Sequence, residues 1–316
     1  MDLQADNAAA PLLAAAELRT GDVLLMRGDG PLSELIAWAS DSLYSHAAIV
    51  ADAGDLIEAS SSGVRRYPVA ARLDNKVKYH FVDALRWAGP TGSPLDKADI
   101  ADVLAKAVSL LGTPYPIDQL ALFGAIMAVR GKWPEHRLGR LLARVALDHA
   151  LPDKTGSVVC SELVYRAYAQ CAAAPQGRLA PVIVVGERAT APFPDIDWKA
   201  LFDEIWPLLQ PSGRERLQAP RMRLNALRGD QLPMLQSEAG GVPEISDQEL
   251  ESARRAVLGQ TGLHAEAETD VVALHGGRPG TVVPDPNPRL VSPQDLAISP
   301  SMRLLGRLMQ RDDAPA

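Results

Sequence analysis

Every Phe, Tyr and Trp of this 316-residue chain lies at or before Trp206. A stretch without large rings has little with which to offset the entropy of ordering its own backbone. The last 110 residues, Pro207 to Ala316, also return repeatedly to Pro and Gly. They read as an extended or partly disordered tail rather than a second domain. Two short helices are expected within it. Ser246-Asp-Gln-Glu249 is a capping box ahead of Leu250 to Leu258. Ser301 to Gln310 carries Met302, Leu304, Leu305, Leu308 and Met309 on an apolar side, with three arginines nearby. Such a tail either binds a protein partner or folds back on the domain before it.

The folded domain is therefore expected over residues 17–206, preceded by an extension, 1–16. Its pattern is α+β. Asp22 to Met26, Ala47 to Val50, Leu56 to Ala59, Val64 to Val69, Lys78 to Val82 and Pro181 to Val185 read as strands. Pro31 to Ser40 reads as a short amphipathic helix with proline at its start. Asp96 to Leu111 repeats its apolar residues at helical spacing and is closed by Gly112 and Pro114. Trp198 to Leu209 reads as a final helix. Residues 116–150 read as a helical insertion, apolar from Leu120 to Val129. From Arg130 to Arg144 it is basic, with five Lys or Arg against Glu135 alone. That pattern suits a lid, an acyl-chain groove or a membrane-surface contact, or more simply a helical pair packed on the core with a solvated basic edge.

A net charge of −7 disfavours bulk nucleic-acid binding. The two cysteines sit 11 residues apart on one expected helix, about 16 Å along its axis, too far for a disulfide. Their spacing fits no metal site, and no cofactor is expected. Reduced thiols suit a cytoplasmic setting. Met1 to Ala16 has no Lys or Arg and so lacks the basic start of a signal peptide. No run approaches the roughly 18 apolar residues of a spanning helix.

Two distant residues carry the chemistry. In Gly156-Ser-Val-Val-Cys160-Ser-Glu-Leu-Val-Tyr165, Gly156 and Ser157 look like a helix start, which places Cys160 in the first turn. The helix end favours thiolate over thiol there. Cys160, Val164, Ala167, Tyr168 and Cys171 also fall on one stripe, and a thiol on such a stripe is often packing alone. The second residue, His46, opens a hairpin whose turn is Asp52-Ala-Gly-Asp55. Positions 46 and 58 lie symmetrically about residue 52, so His46 and Glu58 should be cross-strand or diagonal neighbours. Glu58 can then accept from one ring nitrogen and turn the other toward a thiol. His80 is an alternative base. Ser45 and Ser161 flank the candidates and read as scaffold or cap.

The order Leu18-Arg-Thr-Gly-Asp-Val-Leu-Leu, Tyr44-Ser-His46, Leu56-Ile-Glu58-Ala, Leu111-Gly-Thr-Pro-Tyr115 and Val159-Cys160-Ser-Glu-Leu-Val-Tyr165 resembles a known family. It is similar to the circularly permuted branch of the NlpC-type papain-like cysteine hydrolases, the YiiX/YebB-like group, related to lecithin-retinol-acyltransferase-like enzymes. In that branch histidine precedes cysteine, here by 114 residues. The resemblance covers about residues 17–206. It implies a small antiparallel sheet packed against the cysteine helix, with Cys160 as nucleophile, His46 as base and Glu58 as the polar third residue. It implies action on an amide, ester or thioester bond of a small-molecule, lipid-linked or peptide substrate. Hydrolysis and acyl transfer both remain open. So do a cell-wall peptidase and a non-catalytic binding module of the same fold. Helix-start N–H groups would stabilise an oxyanion, and Tyr44 is a candidate second donor.

Overall fold

The computed structural model describes residues 10–60, 62–89, 93–113, 123–124, 126–128, 130–150, 158–185, 193–201, 203, 244–261, 271–273 and 279–312. In chain order, β1 (Val23–Gly28) leads into α1 (Pro31–Ser40). Then follow β2 (His46–Val50), β3 (Asp55–Ser60), β4 (Gly63–Pro68), a short α2 (Val69–Leu73) and β5 (Tyr79–Trp87). Helices α3 (Lys97–Ser109), α4 (Arg137–Ala150) and α5 (Cys160–Ala169) come next. The remainder is β6 (Val184–Val185), α6 (Asp247–Thr261), β7 (Val271–Ala273), β8 (Pro279–Val282), α7 (Pro293–Ala297) and β9 (Met302–Gln310).

The main sheet runs β4-β3-β2-β1-β5-β9, every neighbouring pair antiparallel, and a small sheet runs β6-β8-β7. The α+β reading with an antiparallel sheet holds. The central strand β1 is apolar on both faces. Val23 and Leu25, with Ala47, Ile49, Ile57 and Phe81, bury against Leu163, Val164, Ala167 and Tyr168 of α5. Leu24 and Met26, with Ala48, Leu56, Val82 and Ala84, bury on the reverse face under Val69 of α2 and Met309 of β9. Double coverage explains why Val23 to Met26 shows no polar alternation.

The C-terminal expectation requires correction. Ser301–Gln310 reads as a helix, yet Met302–Gln310 pairs with Phe81–Trp87 of β5 as an edge strand, across two register shifts. Its Leu and Met residues satisfy either period. The open edge of β5 supplied a ladder that no local helix could match. Gly306 helps, since its φ of 155° is costly for other residues and a Cβ there would collide with the Pro11 carbonyl. The extension reaches the same place: Leu13 N–H donates to Arg307 O, and Arg307 N–H donates to Pro11 O. Nor is the rest of the described tail extended. Ile245, Leu250, Val257, Val291 and Leu296 are buried in the shared core, so aliphatic residues do the work for which rings were thought necessary. The capping-box helix is present as α6, with Glu249 N–H donating to Ser246 Oγ at 3.2 Å. Residues 207–243 lie outside the described residues, as do Gly156 and Ser157 and most of Trp198–Leu209.

Within 116–150, four of the basic residues, Arg130, Lys132, Arg140 and Arg144, make internal bonds. Arg130 pairs with Asp295 at 3.2 Å and Lys132 with Asp41 at 2.7 Å. Arg140 donates to Ile245 O at 2.6 Å and pairs with Asp247, while Arg144 pairs with Asp148. Through these bonds α4 is tied to α6. Among the described residues of the segment, the helix is packed on the core as the simpler expectation has it. Among the described residues no helix is long and apolar enough to cross a membrane.

A buried ion pair anchors β9. Arg307 Nε and Nη2 donate to the two oxygens of Asp83 on β5, at 2.8 and 3.0 Å, and both side chains are almost wholly covered. Removing one partner of such a pair strands the other. Arg307→Ala is expected to destabilise the protein by about 3–5 kcal/mol in urea unfolding. Deletion of residues 302–316 is expected to abolish the cooperative transition. Wild-type unfolding of either variant would show that β9 is dispensable.

Candidate active site

Helix α5 begins at Cys160, with Val159 as its cap residue. Valine has no side-chain acceptor, and Glu162 reaches back instead to accept the Val159 N–H at 3.0 Å. Cys160 is thus the first helical residue, in the first turn as expected, although Val158 and Val159 are not helical and the helix begins later than the Gly156-Ser157 reading has it. Its stripe is buried as well: Val164, Ala167 and Tyr168 are core residues. Packing and position at the helix start are compatible here. Cys171 lies just beyond the helix end, and its thiol is buried and directed to Tyr168 O at 3.1 Å.

Strand β2 brings His46 to the same point. The β2–β3 ladder runs from Val50↔Leu56 through Ile49↔Ile57 to Ala48↔Glu58. Glu58 is therefore opposite Ala48, and His46 is its diagonal neighbour on the same face. His46 Nε2 meets Glu58 Oε2 at 3.3 Å. The Cys160 thiol lies beside the imidazole, close enough that each shifts the other's proton affinity. With Nε2 on Glu58, Nδ1 is the nitrogen left to face sulfur. The backbone N–H groups of Ala47 and Ser161 also favour negative charge on that sulfur.

Cys160 is 1% exposed and His46 8%, so their interaction is little screened by water. Burial opposes charge on both. The imidazolium beside it nevertheless holds the Cys160 thiol below its ordinary value, helped by the two N–H donors. The thiolate, then Glu58, lift His46 to about 9 against the same burial. Both shifts favour the thiolate–imidazolium form of the pair, with His46 holding its proton until pH rises through about 9.

Glu58 has no solvent exposure. Burial would raise its carboxyl, but His46, Arg72 and Arg65 bring it down to about 2. Arg72 of α2 and Arg65 of β4 both bond to it, and sequence reasoning had picked out neither. Arg65 was legible in principle: the β3–β4 turn at Ser60 to Gly63 sets Arg65 directly opposite Glu58. Arg72 was not, because α2 is a five-residue helix placed by tertiary packing.

Tyr44 does not meet the expectation set for it. Its hydroxyl donates to Asp83 Oδ2 at 2.9 Å, beside Arg307. Burial, then Asp83, raise that hydroxyl well above its usual value and keep it protonated. A donor already committed to a buried carboxylate is not free for an oxyanion. His80 is held elsewhere, by Arg311 at 2.8 Å and Asp29 at 3.5 Å. Ser45 Oγ accepts the Gly28 N–H at 2.9 Å and Ser161 Oγ donates to Val291 O at 2.6 Å, both in scaffold roles. Among the described residues, no group of three or more His, Cys, Asp or Glu could hold a metal ion.

No family model matches the chain, and no curated protein matches it. Among solved structures, it is similar to the metalloprotein YiiX from Escherichia coli O157:H7. The identity is 17% and the TM-score 0.32, over 49% of this chain and 66% of that one. The chain thus spans slightly under two thirds of that neighbour's length. A likeness so slight carries neither fold nor activity across.

The ion pair has a direct readout. The absorbance near 240 nm of wild type minus Cys160→Ala is expected to show thiolate at pH 7, and His46→Ala to abolish it. Iodoacetamide at that pH is expected to alkylate Cys160 and spare Cys171. Thiolate that survives loss of His46, or equal labelling of both cysteines, would contradict the geometry.

Proposed function

We propose that the protein is a cysteine-dependent hydrolase or acyltransferase acting on an amide, ester or thioester bond. The observation that carries this reading is the buried Cys160–His46 pair at a helix start, with Glu58 bonded to the ring. The order of histidine before cysteine, and the motifs around both, support a place in the permuted NlpC-type group, near YiiX-like proteins. The substrate class is a small-molecule, lipid-linked or peptide acyl donor.

The Cys160 thiolate attacks the carbonyl carbon, and the carbonyl electron pair moves onto oxygen. Backbone N–H groups at the start of α5 stabilise that oxyanion. As the tetrahedral intermediate collapses, imidazolium His46 gives its proton to the leaving nitrogen, oxygen or sulfur, leaving a thioester on Cys160. Neutral His46 then takes a proton from water, or from an amine or alcohol, which attacks the thioester and regenerates the thiolate. Glu58 holds the ring in the orientation both transfers require.

Incubation with a mixed library of amides, esters and thioesters, followed by intact-mass and peptide mass spectrometry, is expected to trap an acyl group on Cys160. Cys160→Ala is expected to abolish turnover, and His46→Gln to reduce it by at least about 10²-fold. Turnover that persists in Cys160→Ala would overturn the proposal. If the protein's function survives Cys160→Ala but is lost on removal of the tail, a non-catalytic binding module replaces it. Cleavage of cell-wall stem peptides in preference to the library would narrow the class to a peptidase.

A further inference from the structure

Glu58 is met by more cation than one carboxylate needs. Arg72 Nη2 contacts both of its oxygens, Oε2 at 2.5 Å, and Arg65 donates to Oε1 from Nε and Nη2 at 3.1 and 2.9 Å. Two guanidinium charges thus bear on one carboxylate that lies 3.3 Å from the His46 ring.

Both arginines are held in place. Arg72 is 2% exposed. Its guanidinium lies 4.5 Å from the Tyr67 ring centroid and 4.9 Å from that of Tyr79. Nη1 also donates to Tyr79 Oη at 3.0 Å. Arg65 sits opposite Glu58 in the ladder, with its guanidinium 4.7 Å from the Tyr67 centroid. Around the imidazole, then, stand Glu58 from β3, Arg65 and Tyr67 from β4, Arg72 from α2, Tyr79 from β5 and Cys160 from α5.

A buried carboxylate this close, left uncompensated, would bind the imidazolium proton too tightly. A general acid must release its proton to a leaving group, and the same ring must later take one from water. Resting on the reading of Cys160 and His46 as a reacting pair, we propose that Arg72 and Arg65 are positioning residues acting through Glu58. They fix its carboxylate against the ring and offset its charge, so that His46 is oriented without being locked as imidazolium.

The sign of the effect tests this. Around the ring, the Glu58 carboxylate and the Cys160 thiolate are balanced by two guanidiniums. Removing an arginine leaves one surplus negative charge and favours imidazolium. Removing Glu58 leaves one surplus positive charge and disfavours it. The His46 titration can be followed by NMR on full-length protein labelled with 13C-histidine, with His46→Gln assigning the resonance. Arg65→Gln changes a side chain that is 40% exposed and disturbs packing little. It is expected to raise the titration midpoint by roughly half a pH unit, and Arg72→Gln by about one unit. Glu58→Gln is expected to lower it. Arg72→Lys, which keeps the charge, is expected to stay closer to wild type than Arg72→Gln. A purely structural role does not predict opposite signs for the two kinds of change.

A midpoint that is unchanged or lowered in both Arg→Gln variants would overturn the proposal. If Arg72→Gln does not fold by circular dichroism, Arg65→Gln decides alone. The thiolate difference absorbance on the same samples separates the two readings. Thiolate present at pH 7 with an unshifted His46 sinks the arginine clamp alone. Thiolate absent with a shifted His46 sinks the catalytic reading of Cys160 and leaves the clamp standing.

Discussion

A carboxylate cut off from water must be neutralised by its neighbours, and Glu58 is such a carboxylate. Its bonding partners His46, Arg65 and Arg72 come from β2, β4 and α2, so those elements are tied together at one charge. The β3–β4 turn places Arg65 and the α2 segment supplies Arg72. His46 meets Glu58 only because β2 and β3 pair in the register Ala48↔Glu58. A slip of one residue would send Glu58 to the opposite face, leaving a buried charge without its cations. The hairpin register, the position of α2 and the direction of the imidazole are therefore set together.

On the other side of β1 a second buried ion pair plays a comparable part. Asp83 and Arg307 join β5 to the last strand of the chain, and the Tyr44 hydroxyl completes the set. Tyr44 is two residues before His46, so this network also steadies the entry to β2. The C-terminal residues meet the cysteine helix as well, through the bond from Ser161 to Val291. The end of the chain is thereby built into the domain that carries the candidate site.

Much of the site was legible in the sequence because its signals are local. A helix-start cysteine shows in the residues around it, and the turn at Asp52 to Asp55 places Glu58 within reach of His46. The diagonal offset follows from where the turn's extra residue falls, which composition does not disclose. Tyr44 was misjudged because nearness in sequence to His46 says nothing of Asp83, 39 residues on. Ser301–Gln310 was misjudged because its apolar spacing fits helix and strand alike. Only the unpaired edge of β5 decides between them. The absence of rings after Trp206 did argue against a separate core. It could not exclude aliphatic residues joining a core already present.

By itself, the sequence determined which residues could do chemistry and on what kinds of element they would sit, since periodicity, turns and helix ends depend on a few neighbouring residues. Tertiary structure alone decided which charges face one another: Arg72 on Glu58, Arg307 on Asp83, the imidazole on the thiol. Those meetings join segments far apart in the chain. Their strength comes from water being excluded around them, and no segment can exclude water until the others have packed against it.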